Sequence, residues 1–319
     1  MKILSEQQEA EFFTSISGKG EVPLKFDYIT PEGSQGWIDT VNTERAIKSD
    51  TVASSEYTLL EENSLFFFSK FGEAKGVNII DLGCGDGTAA VPIIERALKE
   101  KKKVRYVPVD ISKGLLDAAS KTVEQKFLKI EIKKVLLDFD LGGFPQLNAE
   151  LRANGYVNLM CFLGSTLGNF SNTERLLSNF RDSMSSKDYL IIGIQLANLL
   201  KIEKMLEFYR SEPVRKLTFS LLKAYGVTRE IGKFDLTFNE KLSQVESRFT
   251  LNKEYKLKIG NEMVSLEKGE ALLLFRSIKF GQWNLQKLMS DVGFRIDTVK
   301  TNDNASYEII MCQPLRYLV

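Results

Sequence analysis

Apolar and polar positions follow two periodicities in the middle of the chain. After residue 76, short apolar runs bounded by turn residues predict buried strands, and the segments between them have the spacing of amphipathic helices. The predicted strands are 77–82, 104–110, 130–137, 156–163 and 189–196, and the predicted helices are 89–99, 113–126 and 173–183. Strands that alternate with helices of this length indicate β-α-β units and a parallel sheet.

The alternation stops after Leu196 and resumes near residue 282. Between these points the pattern predicts helices over about 198–226 and strands near 243–251, 254–259 and 270–280. A helix at 282–292 and two closely spaced strands at 295–301 and 307–314 follow. Ahead of the first strand, the pattern predicts a short helix in 1–22, a loop around 30–36 and an amphipathic helix in 55–71.

We therefore predict an α/β fold, in which a doubly wound sheet ends in a C-terminal antiparallel hairpin and carries an inserted α+β domain. The predicted divisions are an N-terminal helical segment (1–71), the core (72–196), the insertion (197–281) and the end of the core (282–319).

The composition excludes several kinds of chemistry and partner. The chain of 319 residues has no histidine, which rules out Ser-His-Asp and Cys-His catalysis. Its 43 Lys and Arg balance 42 Asp and Glu, so no net field attracts nucleic acid or an anionic membrane. The three cysteines form no CxxC pair, and the apolar runs are too short to span a bilayer. We expect a cytoplasmic monomer with no metal, nucleic-acid partner or membrane partner.

The strongest local motif is the segment 78–88, NIIDLGCGDGT, in which a strand ends in a glycine-rich turn that opens a helix. Such a turn lets the backbone approach a ligand at the helix N-terminus. Thr88 stands where a dinucleotide fingerprint has its third glycine. With Asp81 ahead of the first glycine, the order is strand-Asp-x-Gly-x-Gly-x-Gly. This pattern instead resembles the first motif of class I S-adenosylmethionine (SAM) methyltransferases. A dehydrogenase, or a structural turn capped by Asp81, remains an alternative at this point.

Candidate ligand residues end the next two predicted strands. Asp110 ends the second, where a carboxylate can accept both hydroxyls of a ribose. Its alternative role is to cap the helix that begins at Lys113. Asp138 and Phe139 end the third strand and suit an adenine ring and its amine, although core packing explains Phe139 equally well.

The fourth predicted strand leads into the segment 161–170, CFLGSTLGNF. It lacks both the Asn/Asp-Pro-Pro-aromatic motif of nucleic-acid amino-methyltransferases and the Pro-Cys pair of cytosine enzymes. Glycines on either side of Ser165 and Thr166 would allow a small ligand to approach the backbone closely. Asn169 supplies a neutral amide to the same place, or it caps the helix that begins near Asn172.

Two segments, YVPVDIS at 106–112 and FLGSTLGN at 162–169, resemble the histidine-specific methyltransferase family. The resemblance covers nearly the whole chain, from VPLKFDY at 22–28 to SIKF at 277–280. It implies a Rossmann-like class I fold, SAM as cofactor and a small-molecule amine or amino acid as substrate. It also implies the cofactor-binding residues Gly83, Gly85, Gly87, Asp110, Asp138 and Phe139.

The same resemblance implies that Asn169 and Tyr209 are catalytic and hold the amine and the carboxylate of the substrate. It places the substrate also against Tyr28, Phe275 and Ser277. The alternative for Tyr209 is one face of an amphipathic helix. We therefore predict a SAM-dependent N-methyltransferase that acts on the amine of an amino acid or related small molecule.

Three positions depart from the family pattern. Phe275 stands where the histidine enzymes have a glutamate, Ala89 where they have a lysine, and Thr51 near a tyrosine. Because Phe275 offers no acceptor to an imidazole N–H, we expect free histidine to be a poor substrate. The departures also leave two alternatives: a SAM-binding regulatory protein with impaired catalysis, and a protein or peptide N-methyltransferase.

Overall fold

The computed structural model describes residues 3–47, 51–72, 74–197 and 202–315. The chain divides into two compact units, each built from two segments. The core unit comprises Asn42–Asn198 and Phe280–Val319, and the second unit comprises Met1–Val41 and Leu199–Lys279. None of the helices in the described ranges has both the length and the apolar character that a bilayer span requires.

The elements are numbered in chain order over the described residues. The strands are β1 Gly76–Leu82, β2 Lys103–Asp110, β3 Glu131–Ile132, β4 Val135–Leu136, β5 Tyr156–Phe162, β6 Tyr189–Gln195, β7 Gly232–Asn239, β8 Gln244–Leu251, β9 Tyr255–Ile259, β10 Glu262–Leu266, β11 Ala271–Ile278, β12 Phe294–Thr301 and β13 Tyr307–Pro314. The helices are α1 Glu6–Lys19, α2 Leu24–Asp27, α3 Pro31–Ile47, α4 Val52–Ser69, α5 Val91–Lys99, α6 Lys113–Lys126, α7 Pro145–Leu151, α8 Thr173–Ser183, α9 Ile202–Tyr209, α10 Glu212–Thr218, α11 Ser220–Ala224 and α12 Gln282–Asp291.

The core unit is built on one mixed sheet. Across its described residues the strand order is β12-β13-β6-β5-β1-β2-β3, and β4 also pairs with β2. Strands β1 to β6 pair in parallel, whereas β13 is antiparallel to both β6 and β12. This arrangement is the predicted doubly wound sheet of a class I Rossmann-like fold, with the predicted antiparallel hairpin at its edge.

The strand order determines where a ligand can bind. β1 has β2 on one side and β5 on the other, so the direction of winding reverses between β1 and β5. In open α/β sheets, the crevice beyond the carboxyl ends of the strands at such a switch point is the usual ligand site. The turn after Leu82 and the loop after Phe162 both begin at this edge.

The central strand is apolar because it is covered on both faces. All seven residues of β1 are buried, as is typical of a parallel strand between helical layers. The hydrophobic cluster on one side of the sheet joins α4 and α5 to the strands; it includes Leu60, Phe67, Ile79, Ile94, Leu159, Ile191 and Ile309. The apolar spacing predicted for 55–71 is therefore the buried face of α4.

Of the elements predicted in the N-terminal half, one is only partly right and one was wrong. The strand predicted at 130–137 is divided into two strands of two residues each, β3 and β4, which both pair with β2 at the sheet edge. The loop predicted around 30–36 is instead the beginning of α3. Its glycines serve packing: a Cβ on Gly33 would overlap the Asp27 carbonyl oxygen, and one on Gly36 would lie 3.0 Å from the Leu217 nitrogen.

The second unit has helices and two small antiparallel sheets. β11, β8 and β7 form a three-stranded sheet, and β9 and β10 form a hairpin. β7 and β10 were not predicted from the sequence. Residues 198–201, at the start of the predicted insertion, lie outside the described residues, and residues 42–71 group with the core unit. The four divisions named above stay a prediction.

Candidate functional site

The glycine-rich turn after β1 has a left-handed backbone at all three glycines. The φ angles of Gly83, Gly85 and Gly87 are +65°, +53° and +77°. The Gly83 N–H donates to the Val109 carbonyl at 2.8 Å, which joins the turn to β2. A Cβ on Gly87 would lie 2.9 Å from the Ala119 backbone of α6. Gly87 is therefore required for helix packing, whatever it contributes to a ligand.

Asp81 does not cap the helix that follows this turn. The Tyr106 hydroxyl donates to its carboxylate at 2.7 Å, and burial raises the pKa of Asp81 to about 8. The side chain that binds the beginning of the helical turn is Asp86, whose Oδ1 accepts the Thr88 N–H at 3.1 Å. Arg45 binds both oxygens of Asp86, at 2.6 and 3.0 Å. The alternative of a structural turn capped by Asp81 is thereby excluded.

Asp110 lies beside the glycine turn at the carboxyl end of β2. Its Oδ2 is 3.9 Å from the Cys84 sulfur, and its Oδ1 accepts the Ser112 N–H at 2.8 Å. The cap of α6 is Ser112, whose hydroxyl accepts the Leu115 N–H. Burial raises the pKa of Asp110 to about 6. Asp110 thus lies just before the helix without being its cap.

Phe139 both packs in the core and reaches the glycine turn. It is 8% exposed, and its ring centroid lies 5.7 to 6.0 Å from those of three other phenylalanines. A Cβ on Gly83 would lie 3.8 Å from the edge of the Phe139 ring and 3.7 Å from the Thr166 methyl. Next to it, the Asp138 carboxylate accepts the Asp140 N–H at 3.1 Å.

The residues at this edge fit the adenosine part of SAM. The bare backbone of Gly83 faces an aromatic ring, and a buried carboxylate lies against Cys84 in the same turn. A carboxylate suits ribose hydroxyls, and an aromatic edge beside open backbone suits a purine. The individual cofactor contacts of Gly83, Gly85, Gly87, Asp110, Asp138 and Phe139 stay predictions.

The loop after β5 has an unusual backbone that β6 holds in place. Gly164 and Ser165 have φ angles of +71° and +59°, and the second is uncommon for a residue with a side chain. The Ser165 N–H donates to the Gly193 carbonyl at 3.2 Å, and the Ser165 hydroxyl accepts the Gln195 N–H at 3.1 Å. These bonds fix the beginning of a loop that ends at Asn169.

Asn169 is half-buried at the end of the 3₁₀ turn in this loop. The cap of α8 is Asn172, whose side chain accepts the Arg175 N–H at 2.9 Å. The alternative that Asn169 caps this helix is therefore excluded. Its amide is available for another role at the carboxyl end of β5.

A buried acid from α4 binds the same loop, and the sequence analysis did not find it. Glu56 Oε2 accepts the Gly164 N–H at 2.7 Å and the Tyr307 hydroxyl. Burial raises the pKa of Glu56 to about 7. A Cβ on Gly193 would overlap this carboxylate, so the glycine makes room for it. Only the tertiary structure brings these residues together, which is why no local pattern could reveal them.

In the second unit, Tyr209, Phe275 and Ser277 form one cluster. The Tyr209 hydroxyl donates to Ser277 Oγ at 3.3 Å, and the Tyr209 and Phe275 rings are 5.2 Å apart. Lys279, which is 2% exposed, donates to the Tyr209 and Ser277 oxygens at 2.9 and 3.0 Å. Alternation along β11 toward 279 could have revealed this lysine. Arg276 points to the other face and pairs with Glu21.

The other predicted substrate residues are placed as follows. Tyr28 follows α2, and its carbonyl accepts the Ser34 hydroxyl at 3.1 Å. Asn169 belongs to the core unit, whereas Tyr209 belongs to the second unit. The shared hold of Asn169 and Tyr209 on one substrate stays a prediction.

A family model for the SAM-dependent, histidine-specific methyltransferases matches residues 47–314. The chain belongs to this family. The match confirms the resemblance found in the sequence, the methyltransferase class and SAM as the cofactor. It also removes the dehydrogenase alternative.

Relatives of this methyltransferase include enzymes from bacteria and fungi. It is 28% identical over 122 residues to a histidine N-alpha-methyltransferase of Mycolicibacterium smegmatis, a match that covers 37% of this chain and 36% of that protein. It is 23% identical over 228 residues to an N-methyltransferase of Aspergillus fumigatus, covering 68% of this chain and 60% of that protein. This chain thus spans about a third of the first relative's length and less than two thirds of the second's.

A solved SAM-dependent methyltransferase from Clostridium acetobutylicum aligns with this methyltransferase at a TM-score of 0.47 and 10% identity. The alignment covers 86% of this chain and 99% of that one.

Proposed function

We propose that this methyltransferase transfers the SAM methyl group to the amine of an amino acid or related small molecule other than histidine. The observation that carries the proposal is the half-buried amide of Asn169 at the carboxyl end of β5. The neighbouring Asn172 caps the helix in its place. The relatives described above are N-methyltransferases, which supports nitrogen as the acceptor atom.

A neutral amide suits this reaction better than a carboxylate would. When bound, SAM supplies an electrophilic methyl group on its sulfonium. The acceptor amine must then present a free lone pair, and a carboxylate beside it would favour the protonated ammonium instead. The Asn169 amide oxygen can accept an amine N–H and so direct the lone pair without adding charge. Positioning of this kind supplies much of the rate in a single-displacement reaction.

The cluster around Tyr209 supports a non-histidine acceptor. The Phe275 ring packs 5.2 Å from the Tyr209 ring and offers no hydrogen-bond acceptor. An imidazole N–H buried there without a partner would cost about 1–3 kcal/mol. An apolar or aromatic side chain meets no such penalty. Tyr209 and Ser277, which are hydrogen-bonded to each other, would hold the polar end of the same substrate.

A competition assay tests this function. The protein is incubated with SAM and an equimolar mixture of histidine, phenylalanine, tyrosine, tryptophan, leucine and a short peptide, and mass spectrometry identifies the methylated products. We expect an apolar or aromatic amino acid to be methylated faster than histidine, and Phe275→Glu to increase histidine methylation. Faster methylation of histidine by the unchanged protein would contradict the proposed specificity.

The same assay separates the two alternatives. Methylation of the peptide ahead of every free amino acid would support a peptide N-methyltransferase. SAM binding without transfer to any acceptor would support a regulatory protein, for which Ala89 and Thr51 are the departures to examine.

A further inference from the structure

One carboxylate oxygen joins three distant parts of the core unit. Glu56 comes from α4, Gly164 begins the loop after β5, and Tyr307 begins β13. The Gly164 N–H and the Tyr307 O–H both donate to Glu56 Oε2. Glu56 is 3% exposed and Tyr307 is 1% exposed, so the shared acceptor oxygen belongs to a buried side chain, whereas Gly164 itself is exposed. Loss of this oxygen would leave the Tyr307 hydroxyl and the Gly164 N–H without their acceptor, which costs free energy for a buried group.

The surrounding backbone is adapted to this carboxylate. A Cβ on Gly193 would overlap Glu56 Oε2 and would lie 2.6 Å from the Tyr307 oxygen, so only glycine fits under the pair. Gly164 itself has a φ angle of +71°, which turns the chain that follows it away from the direction of β5. Ser165 continues the left-handed path at +59°. A left-handed conformation at a residue with a side chain, such as Ser165, needs fixed partners to persist.

We propose that Glu56 is a positioning residue for methyl transfer. It accepts the Gly164 N–H and thereby sets the path of the loop that carries Asn169. The inference rests on the proposed function, because Asn169 is the group that would orient the acceptor amine. The role requires an acceptor oxygen rather than a negative charge, which makes it distinguishable from that of a proton acceptor.

Two substitutions at Glu56 separate these roles. Glu56→Gln keeps an oxygen for Gly164 and Tyr307, so we expect kcat to stay within about fivefold of the unchanged protein. Glu56→Met keeps the approximate side-chain length but offers no comparable acceptor. It should lower kcat about ten- to a hundredfold while the SAM dissociation constant changes less than about threefold.

Glu308→Met is the matched control. Glu308 is a fully buried acid next to Tyr307 on β13, and consecutive strand residues face opposite sides of the sheet. This variant should change thermal stability without a specific fall in kcat. An equal loss of kcat in Glu56→Met and Glu308→Met would mean that Glu56 is only structural, and the proposal would be overturned.

Hydrogen exchange of the Gly164 amide gives a readout that needs no substrate. It should be fast in Glu56→Met and slow in Glu56→Gln and in Tyr307→Phe, which keeps the Gly164 bond. If Glu56→Met does not fold, fast exchange in Glu56→Gln or Tyr307→Phe overturns the proposal, and slow exchange with retained kcat supports it.

The two proposals can fail separately. Loss of kcat in Glu56→Gln with slow Gly164 exchange would show that the charge matters, and the positioning role would be wrong. A wild-type protein that methylates no acceptor would instead refute the proposed function. In that case, faster exchange of the Gly164 amide in Glu56→Met than in Glu56→Gln would still show that Glu56 holds the loop after β5.

Discussion

Replacement of Asp110 by alanine is expected to weaken SAM binding about ten- to a hundredfold. The Asp110 carboxylate is 5% exposed at the carboxyl end of β2, beside the glycine turn. Hydrogen bonds to a charged group at such a site contribute about 1.5–3 kcal/mol. Since 1.4 kcal/mol corresponds to a tenfold change in affinity, the range follows directly. Isothermal titration calorimetry with SAM measures it.

A second substitution separates the ribose contact from the local structure. Asp110→Asn keeps an oxygen for the Ser112 N–H, which Asp110 accepts at 2.8 Å, and so keeps the turn ahead of α6. It removes the charge, so we expect its SAM affinity to lie between that of the native protein and that of Asp110→Ala. Ser112→Ala is the control, because it removes the cap of α6 and should lower stability by about 1 kcal/mol with little effect on SAM binding.

The pH dependence of SAM binding provides a further check. Burial raises the pKa of Asp110 to about 6, and the ionised form is the better acceptor for ribose hydroxyls. The affinity of the native protein should therefore be highest well above pH 6 and fall as the pH is lowered through about 6. Asp110→Asn should lack this component, which isolates it from the titration of the buried Asp81. Unchanged SAM affinity in Asp110→Ala would refute the ribose assignment.

Two further predictions concern single residues of the core unit. Asn169→Ala should reduce methyl transfer at least tenfold and leave SAM affinity within about threefold, because its amide is proposed to orient the acceptor amine. Steady-state kinetics and calorimetry test this, and a parallel loss of SAM affinity would show a structural role. The control Asn172→Ala should lower stability by about 1 kcal/mol through the lost cap of α8. Gly87→Ala should lower the free energy of unfolding by more than 1 kcal/mol, because its Cβ would lie 2.9 Å from Ala119 at a φ of +77°. Denaturant unfolding measures both changes, and full stability of Gly87→Ala would contradict the packing argument.

Much of the core unit could be predicted from the sequence because its strands are buried on both faces. The continuous apolar runs that became β1, β5 and β6 are typical of a covered parallel sheet. The third strand was overestimated because its residues lie at the sheet edge, where pairing with β2 is interrupted after Ile132. The pattern of apolar residues indicates which residues are buried. It does not indicate over how many residues a strand pairs with its neighbour.

Glycine was the main source of error outside the sheet. Gly33 and Gly36 suggested a loop, since glycine is common in turns. They lie in α3, where close contacts with Asp27 and Leu217 leave no space for a side chain. The contact between Gly36 and Leu217 joins residues that are far apart in sequence. The local pattern therefore cannot distinguish a glycine in a turn from a glycine that lies against another part of the backbone.

The candidate site was predictable where its residues follow strand ends, and not where they act through tertiary contacts. From the sequence, Asn169 could also have capped the helix that begins near Asn172, and only the bond from Arg175 identifies Asn172 itself as the cap. Glu56 looked like one polar residue of an amphipathic helix. Its role depends on Gly164, which is brought to it by the fold.

The place of β13 in the core sheet has a consequence for how the chain is made. Tyr307 pairs with Gln195, so the strand that covers the edge of β6 is translated only after the whole segment between them. Until then, β6 presents unpaired amide and carbonyl groups together with side chains that are buried in the finished sheet, such as Ile192 and Ile194. During translation this edge of β6 can pair with other β strands until the segment Leu199–Lys279 and β13 have been synthesised. The core sheet can therefore be completed only after most of the chain has been synthesised.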